Sequence, residues 1–326
     1  MSIADKLTLL INTKQDIKSA ISEKGVEVTG GMTTYADAIR RIETGGGEDS
    51  IYVPIGLKFG YKSIHNSYHV PKFAIPKLIL ADGYADGSYM FDGNLDLKSI
   101  NGIYTTNSSL TNCRYMFQNC ESLESIPYFD TSNVTDANYM FAYCSSLTTI
   151  PLLNTSKVTD MNYMFNGCNL LTTIPHFDTS SVTGMNSMFS ECRSLTTIPQ
   201  LDTSSVTNMG FMFAYCNSLT TIPLLDASNV TGINNIFKPT VSSNIQYYSE
   251  LTDLGGFKNL KVDFRNGLCY LPNLTVQSLM NVINNLYDFV GNGESTTRTL
   301  QLGTTNLNKL TAEQKAVATN KGWVLE

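Results

Sequence analysis

One motif recurs at a constant interval along the chain, and that period constrains the fold more than any other feature. Met-Phe pairs fall at 116–117, 140–141, 164–165, 188–189 and 212–213. Ile236-Phe237 closes the series, and Met90-Phe91 precedes it at a slightly wider spacing. Each unit reads roughly Met-Phe-x-x-Cys-x-Ser-Leu-Thr-Thr-Ile-Pro-x-x-Asp-Thr-Ser-x-Val-Thr-x-Met-x-x. A fixed period of roughly 20–50 residues marks a solenoid or a related array. In one unit the apolar positions are Val158, Met161, Met164, Phe165, Cys168, Leu171 and Ile174. That spacing of three or so is neither strand alternation nor a long helix. It predicts two short extended runs, Val-Thr-x-Met and Leu-Thr-Thr-Ile-Pro, joined by turns. Pro127, Pro151, Pro175, Pro199 and Pro223 end the second run, since proline gives no ladder donor. Asp130, Asn154, Asp178, Asp202 and Asp226 follow, able to bond their own backbone two residues on.

A single coil of this kind cannot bury its apolar face, but stacked coils share a continuous core. At about 4.7–4.9 Å per strand the regular part is roughly 25–30 Å long. Thr148, Thr172, Thr196 and Thr220, and the threonines one residue later, are expected to stack like on like. Cys120, Cys144, Cys168, Cys192 and Cys216 occur once per unit at one position. That is the pattern of a buried column of small apolar side chains rather than a disulfide framework. Cys113 and Cys269 lie outside it, and no Cys-x-x-Cys or Cys/His zinc spacing occurs.

Residues 113–237 resemble the cysteine-containing leucine-rich repeats of the BspA-like bacterial surface-protein family, in its Met-Phe-x-x-Cys variant with an Asp-Thr-Ser-x-Val-Thr turn. The resemblance implies an α+β repeat protein: a leucine-rich-repeat β-solenoid with a short helical N-terminal module and an α/β C-terminal cap. It also implies adhesion or surface display rather than catalysis, and such repeats occur in bacteriophage tail proteins.

The flanks read as separate modules. In residues 1–44, Ile3, Leu7, Leu10, Lys14, Ile17 and Ile21 follow a heptad seam with one polar position. The apolar members, Ile3, Leu7, Leu10, Ile17 and Ile21, are the candidate oligomerisation residues. The runs KQDIKSAISEKGVEVTGG and TTYADAIRRI resemble short N-terminal modules of phage tail and baseplate proteins. They imply attachment to other virion tail proteins and a homo-oligomer, with a trimer favoured. Residues 45–48 form a Gly-rich linker. Residues 49–112 read as an irregular N-terminal cap with a strand from Ile51 and a first buried coil at Leu78-Ile79-Leu80. Residues 113–240 are the regular repeats. Residues 241–326 are a degenerate repeat and a C-terminal cap. In that cap Thr275 N-caps one helix, Arg298 to Leu302 is a strand, and Thr311 with Gln314 opens a last helix ended by Gly322. Trp323 is expected to close the core.

Composition narrows the function. Of 326 residues, 42% are hydrophobic, enough for a core, and only 15% are charged, against about 25% in an average globular chain. A net charge of -6 argues against nucleic-acid binding, which needs a basic face. No apolar run reaches the ~18–20 residues of a membrane span, and MSIADKLTLLINTKQD lacks the form of a secretory signal. The chain is therefore expected to work inside the cell, or to leave it by lysis within a virion. The alternative home is the bacterial cell surface.

Motifs for catalysis are missing: there is no Gly-x-Ser-x-Gly, Walker loop or His-Glu-x-x-His. His65 and His69 sit in a segment that reads as loop or strand, and His176 takes a variable surface position. Asp82-Gly83 and Asp86-Gly87 read as turns, lacking the remaining spacing of a calcium loop. No enzyme, no metal and no cofactor are expected. The informative positions are the variable ones: Asn138-Tyr139, Asn162-Tyr163, Phe211, Tyr143 and Tyr215. Coil stacking would set them in rows, with Tyr139 and Tyr163 adjacent. Exposed Tyr and Asn in rows suit a host cell-surface glycan or protein, since Tyr supplies large contact area at low entropy cost.

Overall fold

The computed structural model describes residues 51–53, 73–75, 78–80, 83, 85–105, 110–239 and 250–326. The module at 1–44 with Ile3, Leu7, Leu10, Ile17 and Ile21, the linker, and His65 and His69 lie outside the described residues. From Asp86 onward the chain makes one coil per repeat, each stacked parallel on the last. Single bridges join Asn112, Asp136, Asp160, Gly184 and Asn208 in turn, one position from each coil.

Three rails of backbone bonds hold the stack. Along the Met-Phe segment alternate amides donate to the coil above: Tyr139 to Asn162 at 3.0 Å and Phe141 to Met164 at 2.9 Å. Along Val-Thr, Thr159 donates to the carbonyl of Thr135 and Thr183 to that of Thr159, both at 2.9 Å. Along Leu-Thr-Thr, Thr196 donates to Thr172 and Thr220 to Thr196. The two expected extended runs are thus shorter than the spacing predicts. In the coils from 113 to 212 they amount to isolated bridges, because i→i+3 bonds such as Met164 to Met161 and Cys168 to Phe165 turn the chain again within each coil. The threonines stack like on like, Thr196 over Thr172 and Thr220 over Thr196, but mostly without hydroxyl-to-hydroxyl contact. Thr197 and Thr221 meet hydroxyl to hydroxyl at 3.2 Å, but Thr148, Thr196 and Thr220 donate to the carbonyl one coil below.

The core follows the apolar columns. Phe91, Phe117, Phe141, Phe165, Phe189, Phe213 and Phe237 form one continuous stack of buried rings, with successive centroids 5.1 to 6.1 Å apart. All seven cysteines are free. The five in the repeat column are fully buried, and each thiol donates to the carbonyl of the Phe one coil below, as Cys168 does to Phe141 at 3.2 Å. Cys113 takes the place of a core Met and is equally buried. Burial pushes all these thiols upward, since a buried thiolate loses its hydration. A thiol reagent should therefore label the native protein only at the half-buried Cys269, and all seven sites after denaturation. Rapid native labelling of two or more would contradict the buried column.

Strands frame both ends. β1 (Ile51–Val53), β3 (Leu78–Leu80) and β5 (Ile103–Thr105) pair in parallel, as do β2 (Phe73–Ile75) and β4 (Leu97–Ile100). Leu78 and Leu80 are fully buried, and β1 pairs with their strand, Ile51 opposite Leu78. Beyond the repeats, β6 (Thr221–Ile222) and β7 (Leu225–Asp226) pair with β8 (Asp253–Leu254) and β9 (Phe257–Lys258).

Helix α1 (Val276–Asn285) follows, with Thr275 accepting from the Ser278 amide and Leu279, Val282 and Ile283 turned into the core. β10 (Arg298–Leu300) pairs with β11 (Trp323–Leu325), and between them lie α2 (Gly303–Leu307) and α3 (Ala312–Asn320). A Thr311–Gln314 capping box opens α3, satisfying two orphan donors at once. Lys321, at its end, donates to the carbonyls of Ile283, Asn284 and Leu286, closing the C-terminus of α1. Trp323 is buried in this cap, 5.9 Å from the Phe289 ring, and its indole N–H bonds the Tyr287 carbonyl. No described helix is long and apolar enough to cross a membrane.

Candidate functional site

Each regular coil contains two residues with left-handed backbone, four positions apart. The first column holds Tyr89, Tyr115, Tyr139, Tyr163, Ser187, Phe211 and Asn235, with φ from +53° to +59°. The second holds Asn119, Tyr143, Gly167, Glu191 and Tyr215. Alternate amides must point to the coil above while the chain keeps turning, and the left-handed residues reconcile the two demands. For a non-glycine residue that conformation costs about 1–2 kcal/mol. Asn and Gly tolerate it best, yet seven of these positions are Tyr or Phe.

The tyrosines of the first column form a ladder. Ring centroids of Tyr89–Tyr115, Tyr115–Tyr139 and Tyr139–Tyr163 lie 4.6, 4.9 and 4.3 Å apart. The two candidates Tyr139 and Tyr163 are thus stacked face to face. Burial, with the neighbouring Tyr163 phenol, pushes the Tyr139 hydroxyl up to about 12, so that phenol stays neutral at physiological pH. Because the faces cover one another, the ladder offers ring edges and hydroxyls to solvent. Arg114 lies 4.8 Å over the Tyr115 ring. Tyr89 and Tyr115 were not among the candidates from sequence, although both directly precede a Met-Phe pair, which was the available signal.

The other candidates separate. Tyr143 is 42% exposed and leans over the next coil, where a Cβ on Gly167 would come within 2.7 Å of its ring. Burial, then the charge of Glu191, raises its hydroxyl. Phe211 and Tyr215 are half-buried, and Lys238 sits 5.7 Å from the Phe211 centroid. Asn138 is not a surface contact. Only 8% exposed, it donates its side-chain amide to the Asp160 carboxylate on the next coil. Asn162 is half-buried and accepts from the Asn186 amide at 2.7 Å. These side chains run along the stack axis and serve the inter-coil ladder, so neither forms a free row of amides.

The opposite turn carries the Asp-Thr-Ser column. Asp130, Asn154, Asp178, Asp202 and Asp226 each accept from the amide two residues on. The following threonines, Thr131, Thr155, Thr179 and Thr203, are buried, and their hydroxyls donate to the carbonyl of the next coil. Here a side chain replaces the backbone rail, a role the sequence pattern does not reveal. A groove of about 570 Å³ on this edge is lined by exposed His176 and Gln200, the carboxylates Asp178, Asp202 and Asp226, and Lys258. Those carboxylates are already engaged by their serines, and Asp226 by Lys258 at 2.8 Å. Among the described residues no group of three or more His, Cys, Asp or Glu is placed to hold a metal ion.

No curated protein matches the chain. A family model matches it twice, over residues 85–171 and 147–250, the region of the stacked coils. The two matches together span slightly more than half of the sequence and agree with a BspA-like repeat protein. The chain belongs to the family described as Mycoplasma protein of unknown function, DUF285.

Proposed function

We propose that the coils are a leucine-rich-repeat β-solenoid whose tyrosine edge recognises a host cell surface, in a non-enzymatic phage tail or baseplate appendage. The observation that carries this reading is the placement of seven aromatic residues on left-handed positions where Asn or Gly would serve the fold at lower cost. Strained positions held by large side chains point to a use for those side chains. The ladder offers a straight row of phenolic edges suited to a surface glycan or protein. The resemblance of residues 1–44 to tail modules supports the virion setting, and a trimer built through Ile3, Leu7, Leu10, Ile17 and Ile21 would multiply weak contacts. The family's description as mycoplasmal favours a second reading, an adhesin or scaffold on a bacterial cell surface.

The test is binding of labelled full-length protein to a panel of intact bacteria, beside the double variant Tyr139→Asn, Tyr163→Asn. Asn accepts the left-handed backbone, so the coils stay intact. We expect saturable binding to some strains, weakened at least about tenfold in the variant, the loss typical of an aromatic hot spot. Equal binding by both proteins would remove the ladder from recognition. Binding to no strain would sink the recognition role itself.

A further inference from the structure

The tyrosine ladder has a chemical property independent of any receptor. Among its three contacts, Tyr139–Tyr163 is the closest and most nearly parallel, at 4.3 Å and 10°. Tyr89–Tyr115 follows at 4.6 Å and 22°, while Tyr115–Tyr139 is wider and tilted by 32°. Backbone bonds from Tyr89 to Arg114, Tyr115 to Asn138, Tyr139 to Asn162 and Tyr163 to Asn186 fix the residues one coil apart, so the rings cannot drift away from one another. All four rings are half-buried rather than sealed. The thiols, which would otherwise compete as reductants, are mostly hidden: six of the seven are buried, leaving Cys269 alone half-buried.

We infer that this ladder is a site of oxidative cross-linking, where a peroxide-driven one-electron oxidant joins Tyr139 to Tyr163 and Tyr89 to Tyr115. Each phenol gives up one electron and one proton, leaving a phenoxyl radical with spin density on the ring carbons ortho to oxygen. Two such carbons on facing rings form one carbon–carbon bond. The hydrogens they carried shift to the oxygens, restoring both phenols. One hydrogen peroxide takes up the two electrons and two protons and leaves as two waters. Each link ties one coil to the next, and the two pairs share no ring. A cross-link that closes a whole coil restricts the unfolded chain and so holds consecutive coils together.

The experiment treats dilute full-length protein with a haem peroxidase and hydrogen peroxide. It follows dityrosine fluorescence on the monomer and maps linked peptides by mass. Tyr139→Phe and Tyr163→Phe remove one phenol but keep a ring, which the column accepts at Phe211. Tyr128→Phe is the control: Tyr128 is 63% exposed and lies on another edge. We expect a peptide pair carrying Tyr139 and Tyr163, lighter by two hydrogens. Monomer fluorescence should fall about twofold in either ladder variant and stay unchanged in the control. Links mapping to Tyr128, links only between molecules, or undiminished yield in both ladder variants would overturn the inference.

Discussion

Phe165→Ala should cost about 3–5 kcal/mol of unfolding free energy, the usual range for emptying a buried aromatic site. The ring is fully buried and stacks between Phe141 at 5.7 Å and Phe189 at 5.9 Å, with Phe177 at 6.0 Å beside it. Backbone rails on both sides fix the coil spacing, so the walls cannot collapse into the cavity. In a stack where each coil touches only its neighbours, one weak coil also weakens two interfaces. Urea unfolding should therefore show a lower midpoint and a shallower slope, as the halves on either side begin to unfold separately. The exposed Ser181→Ala should stay within about 0.5 kcal/mol of the parent. A loss below about 1 kcal/mol at Phe165 would show that the phenylalanine column is not what holds the coils together.

Gly255→Ala should cost about 3 kcal/mol or more, although it adds a single methyl group. Gly255 lies between β8 and β9 and donates its amide to the Ile222 carbonyl at 2.8 Å. A Cβ there would meet the Leu224 nitrogen at 2.3 Å and the Pro223 carbonyl carbon at 2.7 Å. Both are backbone atoms of the last regular coil, with no side-chain end to swing aside. The clash would wedge the pairs β6–β8 and β7–β9 apart, where the repeats hand over to the C-terminal cap. Hydrogen exchange should accelerate in residues 250–326 and much less in the coils around 140–190, since coupling passes only between neighbours. An unchanged melting temperature, with unchanged exchange in the cap, would show that the two coils can separate at little cost.

Much of this arrangement is legible in the residues themselves. Identical positions in successive coils share one environment, so a side chain's burial can be read from its column. The phenylalanine, cysteine, leucine and isoleucine columns are core for that reason. The Asp-Thr-Ser turns and the caps at Thr275 and Thr311 are local chemistry, set by side chains reaching two or three residues along the chain. The tyrosine row is partly legible: adjacency of Tyr139 and Tyr163 follows from the period alone. Tyr115 lies one regular interval before Tyr139, and only Tyr89 needed the irregular first coil, where the interval between units lengthens.

The sequence alone determined the repeat and the inward set of residues, because these depend on residue type at fixed intervals. Only the tertiary structure decided where the backbone goes left-handed, which threonines replace a backbone rail, and that Asn138 is spent on Asp160 rather than offered to solvent. The physical reason is that these features are fixed by hydrogen bonds between one coil and the next. A donor's direction across that separation depends on how each coil sits on its neighbour. That fit arises only when the coils are stacked.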